Sequence, residues 1–234
     1  MTTMTTMTLS TETTAILKNF ASINQSIWFK AGTQIRTRSQ SREVYAFADL
    51  KEQIPTDFAV YDLPRLLNVC GLFSEQPEFK FGTMDNGVLI GNGKSSVRYI
   101  FSDPIIVPDY CVRPEEYDKN PKMPVVISTF NLKHEQLGRI IKAASVLNSP
   151  NISITSDGTS VKLIAHDKKN SLCDKFELEL DGATTDKPFN VELKLETLRL
   201  IPGDYMVDVG EKIAVRFTNQ TTPVTYFICA QIAV

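Results

Sequence analysis

Apolar residues recur at helical spacing in two stretches of this chain, and the two stretches lie a constant 124 positions apart. Residues 14–23 and 138–147 each place apolar side chains at i, i+4 and i+7, the spacing of one face of a helix. These positions are Ile16, Phe20 and Ile23 in the first stretch and Ile140, Ala144 and Leu147 in the second. The pattern predicts two equivalent amphipathic helices, within residues 10–24 and 132–148.

Between the predicted helices the apolar pattern changes to a period of two, which is typical of half-buried strands. The predicted strands are 27–30, 34–37 and 44–47 in the first half and 152–155, 161–164 and 176–180 in the second. A short helix (61–73 and 194–201) and a closing hairpin (79–101 and 205–232) complete each half. The order of elements occurs twice, so the sequence predicts an α+β fold of two similar domains, each an antiparallel sheet backed by two helices.

The chain divides into four segments at the limits of the two copies. A threonine-rich stretch at 1–8 is expected to be a disordered lead-in, followed by one domain at 9–102, a connector at 103–124 and a second domain at 125–234. The connector holds five prolines, which exclude a regular helix and most strand pairing. Its apolar residues either space the two domains or roof a groove between them.

Charge is distributed unevenly between the predicted helices and the remainder of the chain. The net charge is −2, but the four predicted helices carry seven basic and four acidic residues. Lys18 and Lys142 hold equivalent positions, about 200° around the helix from the apolar stripe. A layer of helices with a few positive charges attracts a polyanion without reading base sequence. Tight binding then requires enclosure of the partner, which several copies closed into a ring would provide.

Candidate catalytic and cofactor motifs in this chain are incomplete. Residues 91–95 resemble the end of a phosphate-binding loop, but the first glycine is out of place and a predicted strand follows. His134 and His166 each neighbour a carboxylate in the sequence, yet both are expected on solvated surface. No nucleophile elbow, metalloprotease motif or paired-cysteine zinc pattern is present. The sequence therefore predicts a non-enzyme without a metal or cofactor.

The apolar runs, the cysteines and the aromatic residues further limit the class of protein that this sequence can encode. No apolar run reaches the roughly 18–20 residues that cross a bilayer, so no membrane partner is expected. The four cysteines form no CxxC pair and are expected to be reduced thiols of an intracellular protein. Trp28, Tyr45, Tyr99 and Tyr226 lie in alternating strands, so they are expected to fill cores rather than stack on bases.

Several sequence blocks resemble the DNA polymerase sliding clamps, or processivity factors, of T-even-type bacteriophages. The N-terminal block comprises Leu9-Ser10, Thr13-Thr14-Ala15, Leu17-Lys18-Asn19-Phe20-Ala21 and Ile23-Asn24. The later blocks are Ala59-Val60-Tyr61-Asp62-Leu63 and the turn Pro202-Gly203-Asp204-Tyr205. The blocks follow the family's order over most of the chain. Two features depart from the family pattern. One is the Met-Thr lead-in, and the other is that the last residue comes directly after the final predicted strand.

The resemblance implies the DNA-clamp fold, closed as a homotrimeric ring of six similar domains whose helices line the hole. Such a ring encircles duplex DNA without sequence specificity and tethers the replicative DNA polymerase for processive synthesis. An ATP-dependent clamp loader opens the ring. In this phage group the ring also activates late transcription, through late-transcription factors and RNA polymerase. The protein would act in the cytoplasm of the infected bacterial host cell.

The resemblance also assigns roles to individual residues. The DNA-facing residues that it implies are Lys18, Arg65, Arg139, Lys142 and Arg199, with Lys133 and Lys194 as weaker candidates. Any one of these lysines taken alone is equally explained by solubility, and the repeat is what favours Lys18 and Lys142. The groove that receives partner peptides at the domain junction is expected to be lined by Tyr45, Ile105, Pro108 and Ile232.

Two other classes of protein are compatible with the same pattern. A duplicated protein-interaction or assembly module that does not bind DNA would show the same repeat. An open single-strand-binding protein would show the same sparse positive charge. The oligomeric state separates these classes, because the ring requires a trimer and the alternatives do not.

Overall fold

The computed structural model describes residues 4–107, 125–180, 183, 185, 187–211 and 214–231. Two compact units make up the fold. The first consists of Met1–Gln40 and Ala46–Cys111, and the second of Ser41–Tyr45 and Val112–Val234. The division falls inside the proline-rich segment 103–124, and Ser41–Tyr45 groups with the second unit. Among the described residues, no helix is long and apolar enough to span a membrane.

The first unit has two helices and eight strands within its described residues. The helices are α1 (Thr11–Ile23) and α2 (Leu63–Cys70). The strands are β1 (Thr5–Thr8), β2 (Ile27–Phe29), β3 (Gly32–Arg38), β4 (Val44–Ile54, which begins in the second unit), β5 (Phe58–Val60), β6 (Glu78–Phe81), β7 (Gly87–Gly91) and β8 (Ser96–Ile100). They pair in the orders β1-β6-β7-β8, β2-β5 and β3-β4. Both predicted helices and the three strands predicted at 27–30, 34–37 and 44–47 are confirmed, and β2 pairs with β5.

The amphipathic pattern of α1 produces the packing that its spacing predicts. Ser10 begins the helix, because its Oγ accepts the Thr13 backbone N–H at 3.1 Å. Glu52 on β4 accepts both the Ser10 backbone N–H and the Thr13 hydroxyl. Ile16 and Phe20 are fully buried, and burial of each such side chain contributes about 1.5–3 kcal/mol to folding.

The expectation of a disordered lead-in at 1–8 is wrong for residues 5–8. These residues form β1, which pairs antiparallel with β6, with Thr5 opposite Phe81 and Thr8 opposite Glu78. Threonine is β-branched and favours extended strands, and the Met7 side chain is buried. The β-branched threonines around the buried Met7 therefore favour a strand at this position.

The second unit contains one helix and two four-stranded antiparallel sheets within its described residues. The helix is α3 (His134–Val146). The strands are β9 (Val126–Leu132), β10 (Asn151–Asp157), β11 (Val161–His166), β12 (Phe176–Leu180), β13 (Pro188–Lys194), β14 (Tyr205–Gly210), β15 (Ala214–Asn219) and β16 (Val224–Cys229). They pair in the orders β12-β11-β10-β13 and β9-β14-β15-β16. α3 packs on β10, β11 and β12 and buries Leu137, Ile140 and Ala144.

The short helix predicted at 194–201 is wrong. β13 extends to Lys194, and a single 3-10 turn at Leu195–Thr197 takes the place of the helix. The Leu195 backbone N–H donates to the carbonyl of Pro150 at 2.9 Å. Pro202 disfavours a helical conformation in the residue before it, so the turn does not continue into a helix. The described part of this unit thus has one helix where the repeat predicts two.

The turn Pro202-Gly203-Asp204 holds the N-terminus of α3. Asp204 Oδ1 accepts the backbone N–H of His134, and its Oδ2 accepts the Lys133 ammonium, both at 2.8 Å. The Gly203 backbone N–H donates to His134 Nδ1 at 3.3 Å. Gly203 has a φ of +150°, and a Cβ at this position would lie 2.5 Å from the side-chain nitrogen of Asn219. The turn therefore supplies an acceptor to a backbone N–H that has no partner inside the helix.

Candidate nucleic-acid interface

α1 and α3 each carry an exposed stripe away from the core, and the two stripes correspond residue by residue. The stripe consists of Thr11, Ala15, Lys18 and Ser22 in α1 and of Glu135, Arg139, Lys142 and Val146 in α3. Each corresponding pair is 124 positions apart, so the offset that relates the buried faces also relates the exposed ones. Both stripes carry a cation at one shared position, Lys18 and Lys142. The phase deduced from the sequence is confirmed for both lysines.

Four of the expected DNA-facing residues have charges that no neighbouring carboxylate neutralises. Lys18, Arg65, Arg139 and Lys142 are exposed. Across the described ranges, none of the four lies within 4.0 Å of a carboxylate oxygen. Their positive charges are therefore available to an anionic partner.

Lys133 and Lys194, the weaker candidates, are engaged within the second unit. Lys133 pairs with Asp204, and this hydrogen bond, together with that from the His134 N–H, holds the pKa of the Asp204 carboxyl below its usual range. Lys194 pairs with Glu43, which raises the pKa of the lysine and lowers that of the glutamate. Both lysines would have to break an ion pair before they could contact a phosphate.

Arg65 and Arg199 are presented by different backbone structures. Asp62 Oδ1 accepts the Arg65 backbone N–H at 2.9 Å and caps α2, so Arg65 lies on the first turn of a helix. Burial raises the pKa of Tyr99 on β8, and the positive charge of Arg65 opposes that rise. Arg199 is exposed, and its Nε donates to the Glu196 carbonyl at 3.1 Å. It lies after the 3-10 turn, not on the helix that the sequence predicts.

The expected partner-peptide groove falls only partly within the described residues. Ile105 lies in a 3-10 turn at Pro104–Ile106 of the first unit and is 87% exposed. Tyr45 lies on β4 in the segment that groups with the second unit and is half-buried. Pro108 and Ile232 lie outside the described residues. The groove thus stays a prediction.

The segment 91–95 is a polar hairpin tip between β7 and β8, as its sequence predicts. Asn92 Oδ1 accepts the Ser95 backbone N–H at 3.2 Å, and Gly93 turns the chain with a φ of +89°. A phosphate-binding loop needs a helix after it, so that the helix's first N–H groups point at the phosphate. β8 follows here instead.

The placement of His166 on solvated surface is wrong. Its Nε2 lies 2.6 Å from Ser153 Oγ and 3.1 Å from a carboxylate oxygen of Glu192. The His166 side chain is only 14% exposed. A catalytic relay needs the carboxylate on one ring nitrogen and the serine on the other, whereas here both contact the same nitrogen. The trio is therefore a polar network that links β10, β11 and β13. His134, by contrast, is exposed as expected.

Two sheet edges carry charges that the sequence alone did not single out. β8 ends one sheet of the first unit, and β12 ends one sheet of the second. Arg98 is exposed at the centre of β8, while Glu177 and Glu179 are exposed on β12. In β12, Glu177 and Glu179 alternate with apolar residues, and in β8 Arg98 lies between Val97 and Tyr99; these patterns are the signal that identifies the charged positions. The two sheet edges thus carry opposite charges, and Glu179 also lies 3.8 Å from the Lys162 ammonium on β11.

Sequence comparisons relate this chain to phage replication proteins. A family described as DNA polymerase processivity factor matches residues 10–97. The sliding clamp of Vibrio phage KVP40 is 29% identical over 96% of this chain and 99% of its own length. The sliding clamp of Enterobacteria phage T4 is also 29% identical, over 92% of this chain and 93% of its own length. Similarity therefore extends over nearly the whole chain.

Structural comparisons reach more distant proteins with the same fold. A. fulgidus PCNA, solved with the C-terminal region of FEN-1, is similar with a TM-score of 0.72, at 12% identity, over 98% of this chain and 99% of its own. The H. pylori beta clamp is similar with a TM-score of 0.71, at 17% identity, over 97% of this chain and 66% of its own. At such low identity these likenesses concern the fold alone.

Proposed function

We propose, given that the chain belongs to the sliding clamps of T-even-type bacteriophages, that three copies close into a ring around duplex DNA. The ring tethers the replicative DNA polymerase and carries out no chemistry of its own. It acts in the cytoplasm of the infected bacterial cell. One observation carries this proposal: a cation stands at the same position of the exposed stripe in both units, at Lys18 and Lys142.

The positive charges suit sliding contact rather than sequence recognition. Lys18, Arg65, Arg139 and Lys142 are spread over three helices, and the described residues leave all four without an ion pair. Separated phosphate contacts of this kind are weak, depend on salt and carry no sequence information. Retention on DNA must then come from enclosure. Arg199 adds a fifth cation from the segment after the 3-10 turn.

The two charged sheet edges provide a route to ring closure. If β8 of one copy pairs antiparallel with β12 of the next, Arg98 faces the acidic pair Glu177 and Glu179. The two edges differ, so each contact leaves one free β8 and one free β12. Repeated contacts of this kind form a closed ring when the rotation per subunit completes a circle, as we propose for three copies. Pairing also removes two open edges per subunit, which would otherwise invite aggregation.

The proposed partners other than DNA are inferred from the family and from the expected partner-peptide groove. The polymerase, and in this phage group late-transcription factors that bring RNA polymerase, would dock by peptides at the groove of Tyr45, Ile105, Pro108 and Ile232. An ATP-dependent clamp loader would open the ring. Ile105 supports this role, because an isoleucine that is 87% exposed presents an apolar side chain to a partner.

The decisive experiment compares one DNA molecule before and after it is cut. The protein is loaded with clamp loader and ATP on a nicked circular plasmid, isolated by gel filtration, and then treated with a restriction enzyme. A ring stays on the circle and leaves after linearisation. When the DNA ends carry biotin and bound streptavidin blocks them, the ring should stay on the linear DNA. Equal retention on open linear and circular DNA would overturn encirclement. Light scattering gives the second measurement: a mass near three times 26.2 kDa is expected, and a stable monomer would exclude the ring.

A further inference from the structure

We propose that the Asn92-Gly93 pair at the tip of the β7–β8 hairpin is a site of spontaneous covalent modification, in which Asn92 becomes an isoaspartyl residue. The reaction needs no enzyme and no co-reactant except water. Its product belongs to the substrate class of isoaspartyl methyltransferases, which transfer a methyl group from S-adenosylmethionine to the new carboxylate. The residues that carry the proposal belong to one hairpin of the first unit, so it is independent of ring closure and of DNA binding.

The chain contains two Asn-Gly pairs, one at each end of β7. Asn86-Gly87 lies where β7 begins, and Asn92-Gly93 follows its last residue, Gly91. Glycine has no Cβ, so its backbone nitrogen is the least hindered nucleophile that can follow an asparagine. The two pairs share this chemistry, so the local structure decides which of them reacts.

The peptide group between Asn92 and Gly93 is open to solvent. Both residues are exposed. Among the described residues, neither the Asn92 carbonyl nor the Gly93 N–H takes part in a hydrogen bond. Gly93 has a φ of +89°, and a Cβ at this position would meet no atom within 4 Å. A solvent base can therefore reach the Gly93 nitrogen, and rotation of this peptide group breaks no hydrogen bond.

The Asn92 side chain is held over the same turn. Its Oδ1 accepts the backbone N–H of Ser95 at 3.2 Å and the Ser95 hydroxyl at 3.3 Å. Both donors draw electron density from the side-chain carbonyl, so its carbon, Cγ, becomes a better electrophile. They also direct the amide toward the residues that follow Asn92, which is the side on which the Gly93 nitrogen lies.

The reaction proceeds through a cyclic imide. A solvent base removes the Gly93 N–H proton, and the nitrogen attacks Asn92 Cγ. A new N–C bond forms, and the bond from Cγ to the side-chain nitrogen breaks and releases ammonia. Water then opens the five-membered ring at the former backbone carbonyl, which becomes the carboxylate, while the chain continues through Cγ. One amide and one water give one carboxylate and one ammonium ion, with no change of oxidation state.

The product differs from the original hairpin tip in backbone length and in charge. The isoaspartyl linkage inserts one methylene into the main chain between residues 92 and 93. The new carboxylate lies two positions from Lys94, the one charged residue of segment 91–95. The net charge of this segment therefore falls from one positive charge to none.

The local structure protects Asn86-Gly87. Gly87 is buried, although Asn86 is exposed. The Asn86 carbonyl accepts the backbone N–H of Phe101 at 3.2 Å, and a Cβ at Gly87 would lie 2.6 Å from the Tyr99 carbonyl oxygen. The sheet thus fixes this peptide group and keeps solvent from its nitrogen, so cyclisation at Asn86 requires the hairpin to open.

Asp157-Gly158 is protected in a different way. Hydrogen bonds from the Thr159 hydroxyl and from the backbone N–H groups of Ser160 and Thr159 hold the pKa of the Asp157 carboxyl well below its usual range. An ionised carboxylate resists attack by a nitrogen nucleophile. The Gly158 N–H also donates to Ser156 Oγ at 3.0 Å.

The test follows the full-length protein during incubation at mildly alkaline pH over several days. Trypsin releases residues 81–94 as one peptide that contains both Asn-Gly pairs, and fragment ions in mass spectrometry assign the added mass to Asn86 or Asn92. Methyl transfer from labelled S-adenosylmethionine by an isoaspartyl methyltransferase counts the isoaspartyl product. In the folded protein, Asn92 should react about tenfold faster than Asn86. In guanidinium chloride, the two rates should agree within about twofold, because the hairpin no longer protects Asn86.

Matched variants separate the two pairs. Asn92→Gln should remove nearly all methyl acceptance by the folded protein, because a glutamine must close a larger ring. Asn86→Gln makes the same change at the other end of β7 and should leave methyl acceptance unchanged. Equal rates at the two asparagines of the folded protein, or methyl acceptance that persists in Asn92→Gln, would overturn the proposal. A tenfold excess at Asn92 that persists in guanidinium chloride would also overturn it, because the flanking sequence and not the hairpin would then cause the selectivity.

Discussion

The carboxylate of Asp204 accepts the backbone N–H of His134 at 2.8 Å and thereby fixes the start of the helix that carries Arg139 and Lys142. Replacing Asp204 with Ala removes this acceptor and also frees Lys133. We expect Asp204→Ala to lower the urea midpoint of unfolding, and Asp204→Asn, which keeps an acceptor, to lower it less. An unchanged midpoint in both variants would show that the turn does not support the helix.

Acid should erase the contribution of Asp204 to stability. Its folded-state pKa is depressed by the Lys133 ammonium and the His134 N–H. A depressed pKa stabilises the fold above the ordinary carboxyl pKa, and the gain is lost as the pH falls through the folded-state value. The difference in urea midpoint between the wild type and Asp204→Asn should therefore be largest near neutral pH and shrink below about pH 4. A difference that grows on acidification would contradict this sign.

Two glycines should respond in opposite directions to the same substitution. Gly203→Ala places a Cβ 2.5 Å from the Asn219 side chain at a φ of +150° and should destabilise the fold by about 1–3 kcal/mol. Gly138→Ala lies within α3 with no neighbour within 4 Å and should stabilise it by about 0.5–1 kcal/mol. Denaturant titration of each variant measures the change in its free energy of unfolding. Stabilisation by Gly203→Ala would refute the close approach.

Charge reversal on the helix stripes should separate DNA binding from assembly. Lys18→Glu with Lys142→Glu removes the cation that both stripes share. We expect weaker loading on nicked circles and a salt dependence shallower by roughly one unit of logarithmic slope for each phosphate that the protein no longer neutralises. Light scattering should still give a trimer. Lys94→Glu is the control, and loss of the trimer in the double variant would mean that these lysines are structural.

Charge exchange between the two strand edges should test ring closure. Arg98→Glu places a third carboxylate against Glu177 and Glu179 if β8 pairs with β12 of the next copy. The trimer should then dissociate at lower salt and higher protein concentration than the wild type. Adding Glu177→Arg and Glu179→Arg should restore it. Failure of this rescue, with each chain still folded by circular dichroism, would place the subunit interface elsewhere.

The long helices were predictable because the information that defines them is local. Ile16 and Phe20 mark the core face of α1 by spacing alone, and Lys18 is then exposed by geometry. The same reasoning at offset 124 recovers α3. Their charged stripe, which is the greater part of the candidate site, was predictable for the same reason.

The features that the sequence alone does not reveal depend on interactions between distant segments. His166 is drawn into a polar network by Ser153 and Glu192, which lie on two neighbouring strands. Lys194 is neutralised by Glu43, which precedes it by 151 positions. The helix predicted at 194–201 was wrong because the propensity of its residues gives way to strand pairing up to Lys194 and to Pro202 after it.

The strand β1 has a consequence for how the protein is made. Thr5 pairs with Phe81, 76 positions later in the chain. At roughly 5–20 residues per second on the ribosome, the first strand waits about 4–15 s for its partner to be synthesised. During this interval the threonine-rich segment has no sheet to join. Met7, which is buried in the folded protein, has no core to pack into. The first unit can therefore pair β1 only after β6 has emerged, so β1 is made long before the strand that orders it.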